Sequence, residues 1–180
     1  MAEVTADARQ VADRRVSELG GKYLTFGLAG EDYGLEILRV REIIGMMDIT
    51  ALPRTPDYMK GVINLRGKVI PVVDLRAKFG LETVEATEET CIIVVDVNGV
   101  AMGVVVDKVL EVLNIASNDI EPAPSFGVAV DTRFILGMGK AHANVTILLD
   151  ISEVLTGREV QNLADVAEVA DVAAVEPEAG

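Results

Sequence analysis

The chain has 180 residues and a mass of 19.2 kDa, room for one ordinary domain or two small, closely packed subdomains. Half of its residues are apolar and the mean hydropathy is +0.35, which excludes wholesale disorder. Twenty-nine acids against sixteen bases give a net charge of −13. Such a chain is repelled by phosphate backbones and anionic lipid, so nucleic acid and membrane surfaces are excluded as first partners.

Single residues narrow the classes further. Cys91 is the one cysteine and His142 the one histidine, so neither an internal disulfide nor a His/Cys zinc site can be assembled. No run of 18 apolar residues is present to cross a bilayer, and residues 1–10 lack the apolar stretch of a secretory signal. The expected location is cytoplasmic.

In chain order, residues 1–21 form a polar N-terminal segment. Val4, Ala8, Val11, Ala12 and Leu19 fall near helical spacing before Gly20-Gly21. From Lys22 the period becomes two: Leu24, Phe26 and Leu28 alternate with Tyr23, Thr25 and Gly27, as in a half-buried strand. Gly30 to Asp32 turns the chain, and Tyr33 to Leu38 returns as a second strand. Val40, Ile43 and Ile44 sit at i, i+3 and i+4, which predicts one helical turn. Two apolar runs, Gly61 to Leu65 and Lys68 to Val73, meet at Arg66-Gly67 and predict a hairpin. Pro71 predicts an edge or a bulge in the second of them. A helical turn at Leu75 to Phe79 ends at Gly80.

Residues 81–90 read as an acidic connector. Cys91 to Val97 and Val100 to Val106 then join through Asn98-Gly99, the strongest hairpin signal in the chain, because both residues tolerate positive φ. Leu110 to Ala116, Arg133 to Met138 and Val145 to Leu149 are further strands, with a loop at Asp119 to Ser125 and a last helical turn at Ile151 to Leu155. Residues 158–180 carry six acids, one base and a period-three Ala/Val pattern without a fixed apolar face, which predicts a disordered acidic tail.

The two halves repeat. Gly30, Gly34, Arg39, Val40 and Glu42, moved 69 positions, fall on Gly99, Gly103, Lys108, Val109 and Glu111. Val72 to Leu75 echoes Leu148 to Ile151. Short strands, frequent turns and no long helical crossovers predict an all-β body of two five-stranded barrels side by side, with short helical turns and flexible terminal tails. The expected body spans 22–157, with two intertwined barrel subdomains at about 22–82 and 90–155.

Catalytic equipment is missing from the sequence. It contains no Gly-x-Ser-x-Gly elbow, phosphate-binding loop or His-Glu-x-x-His motif. His142, in a polar segment between strands, reads as a solvent-facing loop residue, and Cys91 as a small core residue. Asp74 and Asp150 end equivalent strands that lead into helical turns, where a carboxylate caps free N–H groups. Arg66, at the tip of an apolar hairpin, fits either an ordinary solvated turn residue, one that braces the fold through Glu42 or Asp74, or a charged anchor for a partner. Glu42 is open in the same way. Few aromatics and no tryptophan argue against stacking platforms. The sum is a body suited to binding other proteins; no metal or cofactor is expected.

Several stretches resemble the CheW-type chemotaxis coupling proteins, in matching order: Tyr23 to Phe26; Glu31 to Ile43; Leu52-Pro-Arg-Thr-Pro56; Lys60 to Arg76; Gly103 to Asp107; Val109 to Val112; Glu121-Pro-Ala-Pro124; and Ile147 to Ile151. The likeness runs from about Gly21 to Leu155. It implies SH3-like barrels and a non-enzymatic adaptor, monomeric alone, that joins chemoreceptor cytoplasmic tips to the histidine kinase CheA at membrane-associated arrays. It implies kinase binding, through CheA's regulatory CheW-like domain, at Leu24, Ile37, Val40 and Ile43. Receptor binding falls at Glu42, Gly61, Arg66, Gly67 and Val104, in a groove between barrels. Lys108, where many members have Gly, and the Ala141 to Val145 segment depart from the family pattern. The competing class is a small ligand-binding or Asp/Glu-dependent hydrolytic barrel, whose mark would be a deep carboxylate-lined pocket with shifted pKa values.

Overall fold

The computed structural model describes residues 19–123 and 133–155. The N-terminal segment, the acidic tail and the end of the 119–125 loop, expected above to be helical, disordered and a loop, lie largely outside the described residues.

The first half contributes β1 (Gly21–Leu28), β2 (Glu31–Glu36), β3 (Val40–Gly45), β4 (Met59–Leu65), β5 (Lys68–Asp74) and the single turn α1 (Leu75–Lys78). The second contributes β6 (Cys91–Val97), β7 (Val100–Val106), β8 (Lys108–Ile115), the two-residue β9 (Ile120–Glu121), β10 (Ile135–Ala141), β11 (Asn144–Leu149) and α2 (Ile151–Val154). Four hairpins turn on two residues that both take positive φ: Ala29-Gly30, Arg66-Gly67, Asn98-Gly99 and His142-Ala143. That geometry matches the right-handed twist of paired strands. At two of these tips a side chain reinforces the turn: Asn64 Oδ1 accepts from the Gly67 N–H at 2.8 Å, and Asp96 Oδ1 from the Gly99 N–H at 2.8 Å.

The strands form a six-stranded sheet, ordered β8-β1-β2-β11-β10-β9, and a five-stranded sheet, ordered β3-β6-β7-β5-β4. Leaving aside β9, the two orders are the same under the internal repeat: β1 corresponds to β6, β2 to β7, β3 to β8, β4 to β10 and β5 to β11. The all-β, two-barrel architecture is therefore as expected. The two halves are intertwined: each donates its first hairpin to the sheet of the other. A division at 82–90 separates β6 and β7 from β3 and β5 in the five-stranded sheet, and β1 and β2 from β8 and β11 in the six-stranded one. Sequence repeats mark duplicated units, and only strand pairing shows which unit closes which sheet.

The donated hairpins meet their hosts through two parallel pairings, β2 with β11 and β5 with β7. Gly34 faces Leu148 in one and Gly103 faces Val72 in the other. A Cβ on Gly34 would lie 3.0 Å from a Leu148 methyl, and one on Gly103 2.8 Å from an Ile92 methyl and 3.3 Å from a Val72 methyl. The glycine shared by both halves is thus the condition for the large apolar neighbours to close over the exchanged strand.

Three apolar clusters result. Tyr23, Ile115, Ile120 and Leu148 pack on the six-stranded sheet, and Ile63, Ile70, Val72, Ile92, Val94 and Val105 on the five-stranded one. The largest joins the two sheets and includes Leu24, Phe26, Val73, Ile93, Val104 and Leu149. A run of rings, Phe26–Tyr33–Phe79–Phe134, with centroids 5.8, 5.9 and 5.0 Å apart, crosses the same junction. Two ion pairs among the described residues span the halves, Arg41–Asp96 and Arg76–Asp107: Arg76 donates through Nε at 2.8 Å and Nη2 at 2.6 Å to Asp107, which also accepts from the Ala29 N–H at 2.9 Å.

Asp74 and Asp150 cap their turns as expected, each accepting from the backbone N–H two residues on at 3.0 Å. Two expectations fail. Residues 40–45 are a strand, with the 3-10 turn at Ile37–Arg39 before it. Val40, Glu42 and Ile44 turn inward and Arg41 and Ile43 outward, a period of two, and three β-branched residues favour that state. Pro71 lies in an inner strand, one residue before β5 begins to pair with β7, so its missing N–H falls outside that ladder.

Asp107 contributes to the acid sensitivity. The hydrogen bonds from Arg76, foremost, hold its carboxyl below the usual carboxylate range. The native state then binds fewer protons than the unfolded chain, so this stabilisation is complete above the unfolded value near pH 4 and is lost as pH falls through the lower native value. Asp107→Asn is expected to lower stability at pH 7 by about 1–2 kcal/mol and to flatten the loss between about pH 5 and 3. Denaturant titrations across that range check both.

Candidate functional site

Arg66 is carried on the two-residue turn between β4 and β5, where its positive φ of 52° points the side chain away from the ladder. It is 70% exposed, and its Nη2 donates to both carboxylate oxygens of Glu42 on β3. Of the partners weighed for Arg66, the structure selects Glu42 over Asp74, whose carboxylate is engaged by the α1 backbone. An exposed pair of this kind contributes little to stability. Its effect is to fix a guanidinium and a carboxylate at one spot on the surface.

Beneath that spot lies an open groove of about 270 Å³ lined by Arg41, Glu42, Leu65, Arg66, Lys68, Ile70, Val94 and Ala101. Leu65, Ile70, Val94 and Ala101, which belong to the interior cluster of the five-stranded sheet, form its floor. Every lining residue comes from that sheet. The groove around Glu42 and Arg66 is thus built by residues of one sheet and its β4–β5 turn. A second ion pair, Arg41 to Asp96 at 2.6 Å, edges the same face and, with the Gly99 N–H, holds the Asp96 carboxyl below its ordinary range.

The other residues implied for receptor binding divide by burial. Gly67 stands beside Arg66 at the exposed tip. Val104 is 1% exposed, in the cluster joining the sheets, so its side chain is not at the surface. Gly61 is buried where the chain after β3 crosses β4 to close the barrel through the Thr50–Val62 bridge. A Cβ there would sit 2.0 Å from the Thr50 carbonyl oxygen, and φ is +144°. Gly61 is a closure residue, and its repeat counterpart Gly137 meets a methyl of Ile120 in the same way at 2.8 Å.

The residues implied for kinase binding divide likewise. Ile43 is 45% exposed on β3, an edge strand. Ile37 and Val40 are half-buried against the junction cluster, and Leu24 is 2% exposed within it. Leu24 is corrected to a core residue: in a barrel, alternation on β1 faces one apolar interior or the other, with no solvent side for its central residues. Sequence reasoning missed Leu38, 92% exposed on the 3-10 turn next to Ile37, and the pair Leu110 and Val112, 40% and 51% exposed on the edge strand β8. Their sequence signal was an apolar residue out of phase with its strand.

The departures from the family pattern are accommodated. Lys108 faces Gly27 across β8 and β1, and a Cβ on Gly27 would come within 3.2 Å of the lysine stem, so the absent side chain makes room for it. His142 is an exposed tip residue, 4.0 Å from Glu111. Cys91 is half-buried, and burial pushes its thiol pKa up, away from nucleophile chemistry. The carboxylates with shifted pKa values, Asp96 and Asp107, are held ionised by arginines, the reverse of what a general acid needs. The crevice beside Asp74 and Asp107 has a volume of about 20 Å³, enough for about one water.

An arginine-edged apolar groove on a two-barrel scaffold defines a protein-binding module. Known proteins place it in a family. The CheW-like domain matches residues 22–159. The chain is 40% identical over 149 residues to the chemotaxis protein CheW of Klebsiella aerogenes, covering 83% of this chain and 90% of that protein. It is 31% identical over 153 residues to the CheW of Helicobacter pylori, covering 85% and 90%. The scaffolding protein TtCheW of Thermoanaerobacter tengcongensis superimposes with a TM-score of 0.71 at 37% identity, covering 78% of this chain and 96% of that structure. The chain belongs to the CheW-like family of chemotaxis proteins, and is a scaffold rather than an enzyme.

Two substitutions separate folding from surface roles. Gly61→Ala is expected to cost about 3 kcal/mol or more, since a backbone carbonyl must move, and Gly137→Ala less, since an isoleucine methyl is the nearest obstacle. Arg66→Ala is expected to change stability by about 0.5 kcal/mol or less. Urea midpoints of the three variants check the ranking.

Proposed function

We propose that this chain couples the cytoplasmic tips of chemoreceptors to the histidine kinase CheA, within receptor arrays at the cytoplasmic side of the membrane. The observation that carries the reading is the Arg66–Glu42 pair: an exposed guanidinium fixed over an apolar floor, at a place where it adds little to folding. A helical receptor segment would lay aliphatic side chains on Leu65, Ile70, Val94 and Ala101 and offer carboxylate or carbonyl oxygens to the guanidinium's forked donors. Glu42, Arg66 and Gly67 then contact the receptor directly, while Gly61 and Val104 act by holding the barrel's shape.

The kinase's regulatory domain would dock on the outer face of β3. Ile43 supplies exposed aliphatic surface there, Ile37 and Val40 lie half-buried beside it, and Leu24 supports them from the core. No helix among the described residues is long and apolar enough to cross a membrane, in keeping with recruitment by protein contacts. The functional unit in this reading is 22–157, with both exchanged hairpins included.

Reconstitution of receptor, kinase and this protein tests the assignment. Arg66→Ala is expected to abolish receptor-dependent kinase activation with unchanged melting and nearly unchanged kinase affinity. Matching losses of melting temperature and both partners would instead make Arg66 a brace. Ile43→Asp, at an exposed position that spares the core, is expected to weaken kinase binding at least tenfold, or about 1.4 kcal/mol, because a charge would be desolvated in the contact. Unchanged calorimetric affinity would remove β3 from the kinase surface.

A further inference from the structure

We propose that the acidic segment 164–176 of this chain occupies the Arg66 groove and is displaced from it by the receptor. The groove is a local reversal of charge. Arg41, Arg66 and Lys68 line it together with Glu42, and Arg39 and Arg41 both act on Asp96 at its edge, so four cations face two carboxylates. Glu42 is engaged by Arg66 and Asp96 by Arg41. Lys68 is exposed and has no ion-pair partner among the described residues. This face therefore suits a ligand that sets carboxylates beside aliphatic groups small enough for the floor of Leu65, Ile70, Val94 and Ala101.

The chain carries that chemistry itself. Asp165-Val166, Glu168-Val169 and Asp171-Val172 each place a carboxylate next to a valine, with alanines between them. From Arg158 onward six acids oppose one base. Residues 1–18, with four acids and three bases, offer no such excess. In a chain of net charge −13, a basic patch over an apolar floor is where such a segment meets attraction.

Reach and concentration permit the contact. Leu155, the last described residue, is buried in the cluster that joins the sheets. The ten residues from there to Asp165 extend to about 33 Å, more than twice the radius of gyration of about 14 Å for a body of this size. The tether holds the segment at an effective concentration in the millimolar range. A segment with an intrinsic Kd of only about 0.5 mM then weakens receptor binding about threefold by competition. That competition rests on the receptor reading above, whereas occupation of the groove does not.

A receptor-free measurement tests the occupation. Isotope-labelled full-length chain is compared by NMR with the full-length Asp165→Asn/Glu168→Gln/Asp171→Asn variant. The expected difference lies in the signals of Lys68, Val94 and Ala101, is the same at about 20 μM and about 1 mM chain, and disappears near 1 M salt, where screening acts within about 3 Å. No difference at these residues, or one confined to another face, overturns the proposal. A difference that grows with chain concentration places a second copy in the groove and overturns it too. Binding of a chemoreceptor cytoplasmic fragment is then measured for both chains, and the variant is expected to bind at least about threefold more tightly. Tighter binding without the change at the groove marks general repulsion by the tail and overturns the proposal. The change at the groove without tighter binding keeps the segment in the groove but overturns its displacement by the receptor, and it moves the receptor site elsewhere. Loss of receptor-dependent activation in Arg66→Ala is read separately, so the receptor assignment and the tail assignment fail independently.

Discussion

Each half of this chain depends on the other for its sheet, and two parallel contacts carry that dependence. At β2–β11 and β5–β7, a glycine from one half lies under a large apolar side chain of the other, Gly34 under Leu148 and Gly103 under Val72. Parallel pairing needs a long connection, and here the connection is the rest of the molecule. Local hairpins supply the pieces, but assembly requires contacts far apart in sequence. Folding is therefore expected to be limited by closure of the two exchanged hairpins rather than by any single hairpin.

The same constraint shapes the surface. Because the interiors of both barrels and the junction between them are lined by β-branched and aliphatic residues, most of the apolar content is consumed inside. Among the described residues, several of the large apolar groups that remain outside stand on β3 and β8, each at one edge of its sheet, and on the 3-10 turn before β3: Ile43, Leu110, Val112 and Leu38; Met47, Val84 and Val145 are exposed elsewhere. Ile43 and Val112 hold equivalent places in the repeat, so duplication left each barrel with an aliphatic edge.

Charge is placed with similar economy. Arg76 and Asp107 are largely withdrawn from water and tie the halves together, whereas Arg66 and Glu42 pair in the open and leave stability almost untouched. A net charge of −13 makes an exposed arginine over an apolar floor a local exception. It offers direction and specificity to a partner more than it offers folding energy.

Much of this was determined by the sequence itself. The joins of apolar runs at Arg66-Gly67 and Asn98-Gly99 marked hairpins, alternation marked β1, a continuous apolar run marked β6, repeated glycines and charges marked the duplication, and Asp74 and Asp150 marked caps, because each rests on interactions within a few residues. The likeness to CheW-type proteins lay in motifs of the same local kind. Residues 40–45 were misread because i, i+3, i+4 spacing and two-residue alternation share positions, and only pairing with β6 decides between them. Likewise the sequence could not show that Leu24 and Val104 face an interior, that Gly61 passes beneath the Thr50 carbonyl, or that Arg66 reaches Glu42. Those facts depend on which hairpin enters which sheet, a choice fixed by packing between residues scores of positions apart, where periodicity carries no information.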